Sequence, residues 1–154
     1  LLGGDGMRAH LASLIHARMD LGKSIHGIDL GMQAITHVAE TDEQAREQIE
    51  YARWQNRAGR ALGRLAVTNG RVDVTPYEGE PDDDLFMERL YFGSPETVIE
   101  KFRRAAELGV THVSCWSMFG GIDHEKIMRS IRLMGEQVLP KLQQTSGAPS
   151  GNPS

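Results

Sequence analysis

With 154 residues, 40% of them hydrophobic and 25% charged, the chain has the composition of one globular domain of ordinary size. Its net charge of −4 gives no global electrostatic footprint for nucleic acid, and no stretch is long and apolar enough to span a bilayer as a helix. Cys115 is the only cysteine, which rules out an internal disulfide and predicts a reducing, cytoplasmic setting.

The opening "LLGGDGMRAHL" carries charge and histidine where a secretory signal needs an apolar core. Leu1 in place of methionine predicts a piece of a longer product. Residues 7–20 set Met7, Leu11, Leu14, Ile15 and Met19 at helical spacing, with Gly22 as the stop. "IDLGMQAITHV" then predicts a mostly buried strand from about Ile28 to Val38. Thr41 or Asp42 caps a helical stretch over 42–67, acidic at its start and basic at its end, with Gly59 and Gly63 as places where it would divide.

Residues 68–88 combine a turn signal, a brief alternation at Val72 and Val74 and an acidic Pro/Gly-rich run, and predict an inserted, mobile loop. Asp82, Asp83 and Asp84 have the chemistry of a cation site, though consecutive carboxylates on a loop are more often a solvated surface. Ser94 as N-cap, Pro95 at the first helical position and Gly109 as terminator bound a helix whose apolar face is Val98, Phe102, Ala105 and Leu108. "VTHVSCWSMF" predicts a strand centred near Val113. Asp123 caps a final helix with Ile127, Ile131, Met134 and Val138 facing inward, and Pro140 stops it. Residues 143–154 have the low complexity of a disordered tail.

Two strands alternating with helices predict parallel βα units, and two strands alone cannot make a sheet covered on both faces. The segments "YFGSPETVIEKFRRAAELGVTHVSCW" and "FGGIDHEKIMRSIRLMGEQVLPKL", with "GKSIHGIDLGMQAITHVAETDEQAREQ" upstream, resemble the C-terminal end of the luciferase-like flavin-dependent monooxygenases over about residues 8–142. The resemblance implies an α/β fold: the last two βα units of a (β/α)8 barrel with an inserted loop, the barrel part over 1–142 and the tail over 143–154. A complete barrel needs about 250 residues, so the earlier strands would lie outside this chain.

Barrel active sites lie at the C-terminal ends of the strands, which the expected boundaries put near Gln33–His37 and Trp116–Phe119. The resemblance implies that Gln33 faces the flavin ring, that Trp54 lines the same cavity and that Ser117 or Trp116 borders the ring. The alternatives are a satisfied interior amide for Gln33 and plain packing for Trp54. Catalytic residues are not identified by it. His37, at a strand end, is the histidine with a place for catalysis, and neither the scattered histidines nor the lone cysteine form a metal-ligand pattern. Gly120-Gly121 before a helix would either cradle a phosphate or turn the corner, and Asp123 at the cap argues for the corner. Lys126, Arg129 and Arg132 at spacing three read as a solvated face.

The implied activity is insertion of one oxygen atom from O2 into a small organic substrate, with reduced FMN supplied by a flavin reductase, or with F420 in its place. The other reading is a non-catalytic barrel piece stabilised by self-association or by a partner chain, since an open half-barrel exposes a sheet edge; a homo-oligomer is expected either way.

Overall fold

A computed structural model describes residues 4–24 and 26–145, and its centre is one strand. Strand β1 (Gly31–Val38) turns Met32, Ala34, Thr36 and Val38 to one face and Gln33, Ile35 and His37 to the other. It lies between β4 (Tyr91–Gly93) and β5 (His112–Trp116), parallel to both. β5 runs beside Gly31–Ile35, whereas β4 pairs only with Thr36–Val38. The strand starts later than its composition suggests. Leu30 exchanges hydrogen bonds with Thr111, its N–H donating to Oγ1 at 2.9 Å, so Ile28–Leu30 are irregular chain that precedes the ladder.

Helix α1 (Gly4–Asp20) ends as expected at Gly22, whose φ of 64° lets Lys23 N–H reach Arg18 O. Its apolar residues are poorly covered, and Met19 is 61% exposed. The stretch after β1 is two helices, α2 (Asp42–Arg46) and α3 (Ile49–Gly63). They divide at Glu47–Gln48, upstream of the glycines that were the expected weak points. Gln48 is buried there, its amide donating to Gln44 O at 3.4 Å and accepting from Lys126 Nζ at 3.0 Å.

Residues 68–88 are built, not a loose loop. Asn69 and Gly70, both at positive φ, turn a hairpin between β2 (Val67–Thr68) and β3 (Arg71–Val72). Helix α4 (Asp83–Arg89) follows, capped by Asp82, which accepts from Leu85 N–H at 2.9 Å. The acidic run is largely solvated, as expected, with Asp82 and Asp84 exposed, and it is also ion-paired: Asp83 with Arg53 and Asp84 with Arg46 at 2.7 Å. Arg53, only 8% exposed, also meets Glu50 at 2.8 Å and stacks on Phe86.

Helix α5 (Pro95–Glu107) starts as the sequence dictates, with Ser94 capping and Pro95 at its first turn. Gly93, at φ 149°, has no room for a side chain, because a Cβ there would lie 2.8 Å from Asp42 Oδ1. That same carboxylate accepts from Ser94 N–H at 2.6 Å and from Thr97 Oγ1 at 2.9 Å, binding the start of α2 to the start of α5. Burial raises the Asp42 pKa, but these hydrogen bonds outweigh it and the net shift is downward.

Asp123 caps α6 (His124–Leu133), which continues through a π-helical turn at Met134–Val138 into α7 (Leu139–Thr145). Pro140 therefore does not stop the helix. Leu139 N–H donates to Met134 O in the wider π spacing, and the turn absorbs the ring that an α-helix interior rejects. Of the expected inward residues Ile127, Met134 and Val138 pack on the core, joined by Ser130 and Leu133, whereas Ile131 is 48% exposed. Residues 143–145 of the expected tail are helical, and 146–154 lie outside the described residues.

The even-numbered face of β1 packs on α5 and the α6–α7 arm through Val38, Val98, Ile99, Leu133 and Val138. The opposite face packs on α3 and α4 through Phe92, Phe119, Ile49, Ala52 and Phe86, but only over its C-terminal half. Lys101 joins the layers: its ammonium donates to the carbonyls of Met87, Leu90 and Phe92 at 2.5, 2.7 and 2.9 Å. Lys101→Met keeps the apolar stem and leaves these carbonyls without their donor, a loss of about 2–3 kcal/mol that urea unfolding of the two proteins would read directly.

Candidate functional site

Register decides which side chains share the partly open face of β1. Gln33 stands beside Ser114, Ile35 beside Trp116 and His37 beside Phe92, and paired residues in parallel strands point the same way. The N-terminal half of this face, with Gln33 and Ser114, is exposed; farther along, α3 and the segment before α4 arch over it.

Under that arch lies a cavity of about 430 Å³. Its strand side is Ile35 and Trp116, and its roof is Gln55, Asn56, Gly59 and Arg60 of α3 with Tyr77. The roof is rigidly built. Tyr77 donates its hydroxyl proton to Asn56 Oδ1 at 2.7 Å, Arg60 stacks 4.1 Å above the Tyr77 ring, and Gln55 Oε1 accepts from Gly120 N–H at 3.2 Å. A second cavity of about 420 Å³ lies along the strand, where Met7, Arg89 and Tyr91 face the stretch of β1 that β4 does not reach, and it shares Ile35 and Trp116 with the first.

The sequence-predicted residues divide on this frame. Gln33 is the third residue of β1, not its end; it is exposed, lines the second cavity, and its side chain has no hydrogen-bond partner among the described residues. Trp116 turns toward the cavity, while Ser117 follows the strand and is half-buried beside it. Trp54 is 49% exposed and is not among the side chains lining either cavity, so the α3 residues facing the strands are its neighbours Gln55 and Asn56. The α3 contribution is readable from helical spacing once Gln55 is placed inward, since Asn56, Gly59 and Arg60 follow on the same side. Nothing local to Tyr77 signals its role.

His37 occupies the C-terminal end of β1. It is 4% exposed, packed on Phe92 and Phe119 with centroids at 5.7 and 6.4 Å, and its Nδ1 has no hydrogen-bond partner among the described residues. It borders a cleft of about 270 Å³ with Gln44, Glu47 and Lys126, where Arg129 pairs with Glu40 at 2.5 Å; Lys126 and Arg129 thus line a cleft and not a purely solvated face. Burial, aided by the Lys126 charge, lowers the His37 pKa to about 4. The ring is therefore neutral at pH 7.

Gly120 and Gly121 turn the corner. Both have positive φ, 56° and 78°, and a Cβ on Gly120 would sit 1.8 Å from Tyr51 O, so the loop rests directly on the α3 backbone. Several nearby N–H groups are engaged: Gly120 with Gln55, Ile122 with Phe119 O, and Glu125 and Lys126 with Asp123. The Asp123 carboxylate already fills the helix-start position that a phosphate would take. Among the described residues no group of three or more His, Cys, Asp or Glu is placed to hold a metal, and no helix is long and apolar enough to cross a membrane.

A parallel sheet with helices on one face and a half-open second face makes this an α/β fold. The model of the luciferase-like monooxygenase family matches residues 2–112, and the chain belongs to that family. No curated protein matches it in sequence. In structure it is similar to the monooxygenase RslO1 from Streptomyces bottropensis, with a TM-score of 0.61 at 20% identity over 92% of this chain and 39% of that one. It is also similar to the coenzyme F420-dependent tetrahydromethanopterin reductase from Methanopyrus kandleri, with a TM-score of 0.64 at 20% identity over 91% of this chain and 43% of the other. A third is a type II Baeyer-Villiger monooxygenase, the oxygenating constituent of 3,6-diketocamphane monooxygenase from Pseudomonas putida, solved with FMN: TM-score 0.59, 19% identity, 92% of this chain and 41% of that one. The chain thus spans about two fifths of the length of these structures.

Two predictions follow from the strand ends. Since the folded-state pKa of His37 lies below its unfolded value of 6.5, its share of stability is complete above that value and is lost as pH falls toward 4. Thermal melts should show about 2 kcal/mol of this loss between pH 7 and 5, and His37→Gln should flatten that part of the profile. For the turn, Gly121→Ala meets only left-handed strain of about 1–2 kcal/mol, since nothing lies within 4 Å of the added methyl. Gly120→Ala adds a collision with backbone, and its drop in melting temperature should be at least about twice as large.

Proposed function

We propose that the chain is the C-terminal part, over residues 1–142, of a flavin-dependent monooxygenase barrel that oxidises a small organic substrate with O2. The observation that carries this reading is the family match over residues 2–112, which takes in β1, the arch over the cavity and the whole of α5. The open face suits an isoalloxazine. Gln33 and Ser114 offer an amide and a hydroxyl on the open stretch, and the second cavity beside them, with Met7, Tyr91 and an edge of Trp116, adds apolar surface. Gln33, Trp116 and Ser117 are the groups that would border the ring, while Trp54 sits apart from the cavity walls. Bound reduced flavin supplies the oxygen chemistry; the protein's own residues position it and keep water out. FMN delivered by a reductase is the first choice of cofactor, with the deazaflavin F420 as the other.

A single wall should grip a flavin poorly, since ligand ordering costs several kcal/mol and Asp123 occupies the helix start after the Gly120-Gly121 turn. Titrated into the 154-residue chain, FMN and riboflavin should bind equally weakly. If the reading frame continues upstream through five further βα units, the longer product should bind FMN tightly, and Gln33→Ala should weaken it about tenfold. A longer product that neither binds flavin nor consumes oxygen with reduced flavin would sink the proposal.

A second reading, a non-catalytic piece held by self-association or a partner chain, draws support from the unpaired edge of β1 at Gly31–Ile35 and from Leu65 and Met118, 86% and 71% exposed. Sedimentation at several concentrations should show a homo-oligomer; a concentration-independent monomer would remove that support.

A further inference from the structure

The polar side of the cavity under α3 offers more donors than acceptors. Gln55 Oε1 already accepts from Gly120 N–H and Asn56 Oδ1 from the Tyr77 hydroxyl, so each amide keeps its NH2 group and only one lone pair for a ligand. Arg60 adds a guanidinium. Its neighbours on the same helix are both neutralised, Arg53 by Glu50 and Asp83 and Arg57 by Glu80 at 2.6 Å. Arg60 has no carboxylate partner among the described residues, and its stacking on Tyr77 leaves the edge of its plane for a ligand. Facing these donors across the cavity are Ile35 and Trp116.

We propose that this cavity receives the organic substrate and that the substrate is an anion: an apolar or aromatic body against Trp116 and Ile35, with a carboxylate, sulfonate or phosphate held by Arg60, Gln55 and Asn56. The proposal deepens the monooxygenase reading by naming the substrate class, and it rests on that reading only for the word substrate. A neutral ketone or aldehyde would leave the exposed Arg60 charge to solvent, whereas an oxyanion accepts from the donors the roof presents. Gly59, whose missing side chain would meet nothing within 4 Å, keeps space open next to Arg60.

The test uses the 154-residue chain carrying Trp54→Phe, so that Trp116 is the only tryptophan and reports on the cavity. Naphthalene-2-carboxylate and its neutral carboxamide are titrated against Trp116 fluorescence at low and high salt. The carboxylate should bind at least about tenfold more tightly at low salt. Arg60→Gln should erase that difference while leaving carboxamide binding in place, and Arg60→Lys should keep part of it. Equal affinities for the two compounds, a difference that survives Arg60→Gln, or no Trp116 response to either would overturn the proposal. FMN and riboflavin titrated in parallel separate the two sources of anion. If FMN binds more tightly and Arg60→Gln abolishes that advantage, the charge belongs to the cofactor phosphate and the substrate assignment falls. Conversely, a clear preference for the carboxylate in a protein whose longer product ignores flavin would leave the anion site standing and remove only the monooxygenase reading.

Discussion

The structure depends on one strand having a different parallel neighbour along each part of its length. β1 pairs with β5 from Gly31 to Ile35 and with β4 from Thr36 to Val38. At the crossover, Ala39 N–H still bonds Gly93 O on the β4 side, while Val38 N–H, beyond the end of β5, donates to Ser130 Oγ at 2.8 Å. A serine on α6 thus completes the ladder and sets how that helix lies on the sheet. The even face of β1 is sealed by helices along most of its length, and the odd face only toward its C-terminal end. Parallel sheets are normally covered on both sides. The uncovered stretch around Gln33 and Ser114 is where this fold has room for something else.

The segment between β1 and α5 stays in place over the odd face through charge as much as through apolar packing. Asp42 fastens its beginning to the first turn of α5, Lys101 gathers the carbonyls at its end, and Arg53 and Arg57 draw Glu80 and Asp83 inward. Side-chain bonds to Glu80 from Arg57 hold that carboxyl below the usual range, against the upward pull of burial. These pairs fix the stretch that carries Tyr77, and Tyr77 in turn orients Arg60. Charged groups that look like surface decoration in the sequence therefore decide the geometry of the cavity roof.

What could be read from the sequence were features in which a residue acts on its own neighbours. Ser94 with Pro95, Asp123, Gly22 and Gly109 bound helices through local chemistry, and the strand at Val113 follows from its β-rich run. What could not be read depends on partners far along the chain. β4 is three residues long and is a strand only because β1 is beside it. The Asp82–Asp84 run looked like loop because Arg46 and Arg53, which pair two of its carboxylates, lie some thirty residues earlier. The break at Gln48 is set by a buried amide and Lys126, not by helix propensity, and Pro140 is tolerated because the chain widens into a π turn just before it. In the site the same division holds. The inward turn of Trp116 follows from alternation, but whether Gln33 lay at the end or near the start of its strand depended on where the ladder began, and Leu30's bonds to Thr111 are invisible in composition.

The cavity joins two parts of the chain with different freedom to vary. Its strand side, Ile35 and Trp116, is held by ladder hydrogen bonds and by the core behind it, so those positions must satisfy packing before they satisfy a ligand. Of the roof residues, Gln55 and Asn56 are half-buried and Arg60 is exposed, and none belongs to the apolar core. Exchanging Arg60 for a neutral side chain changes what the cavity attracts and leaves the sheet untouched, whereas exchanging Trp116 disturbs the surface that any flat ligand needs. A fold arranged in this way can hold one reactive group against the strands and alter its choice of partner from above. Gly120, seated on Tyr51 O and donating to Gln55, is the point where strand end and roof meet, so the height of the roof above Trp116 is set by a residue that has no side chain to vary.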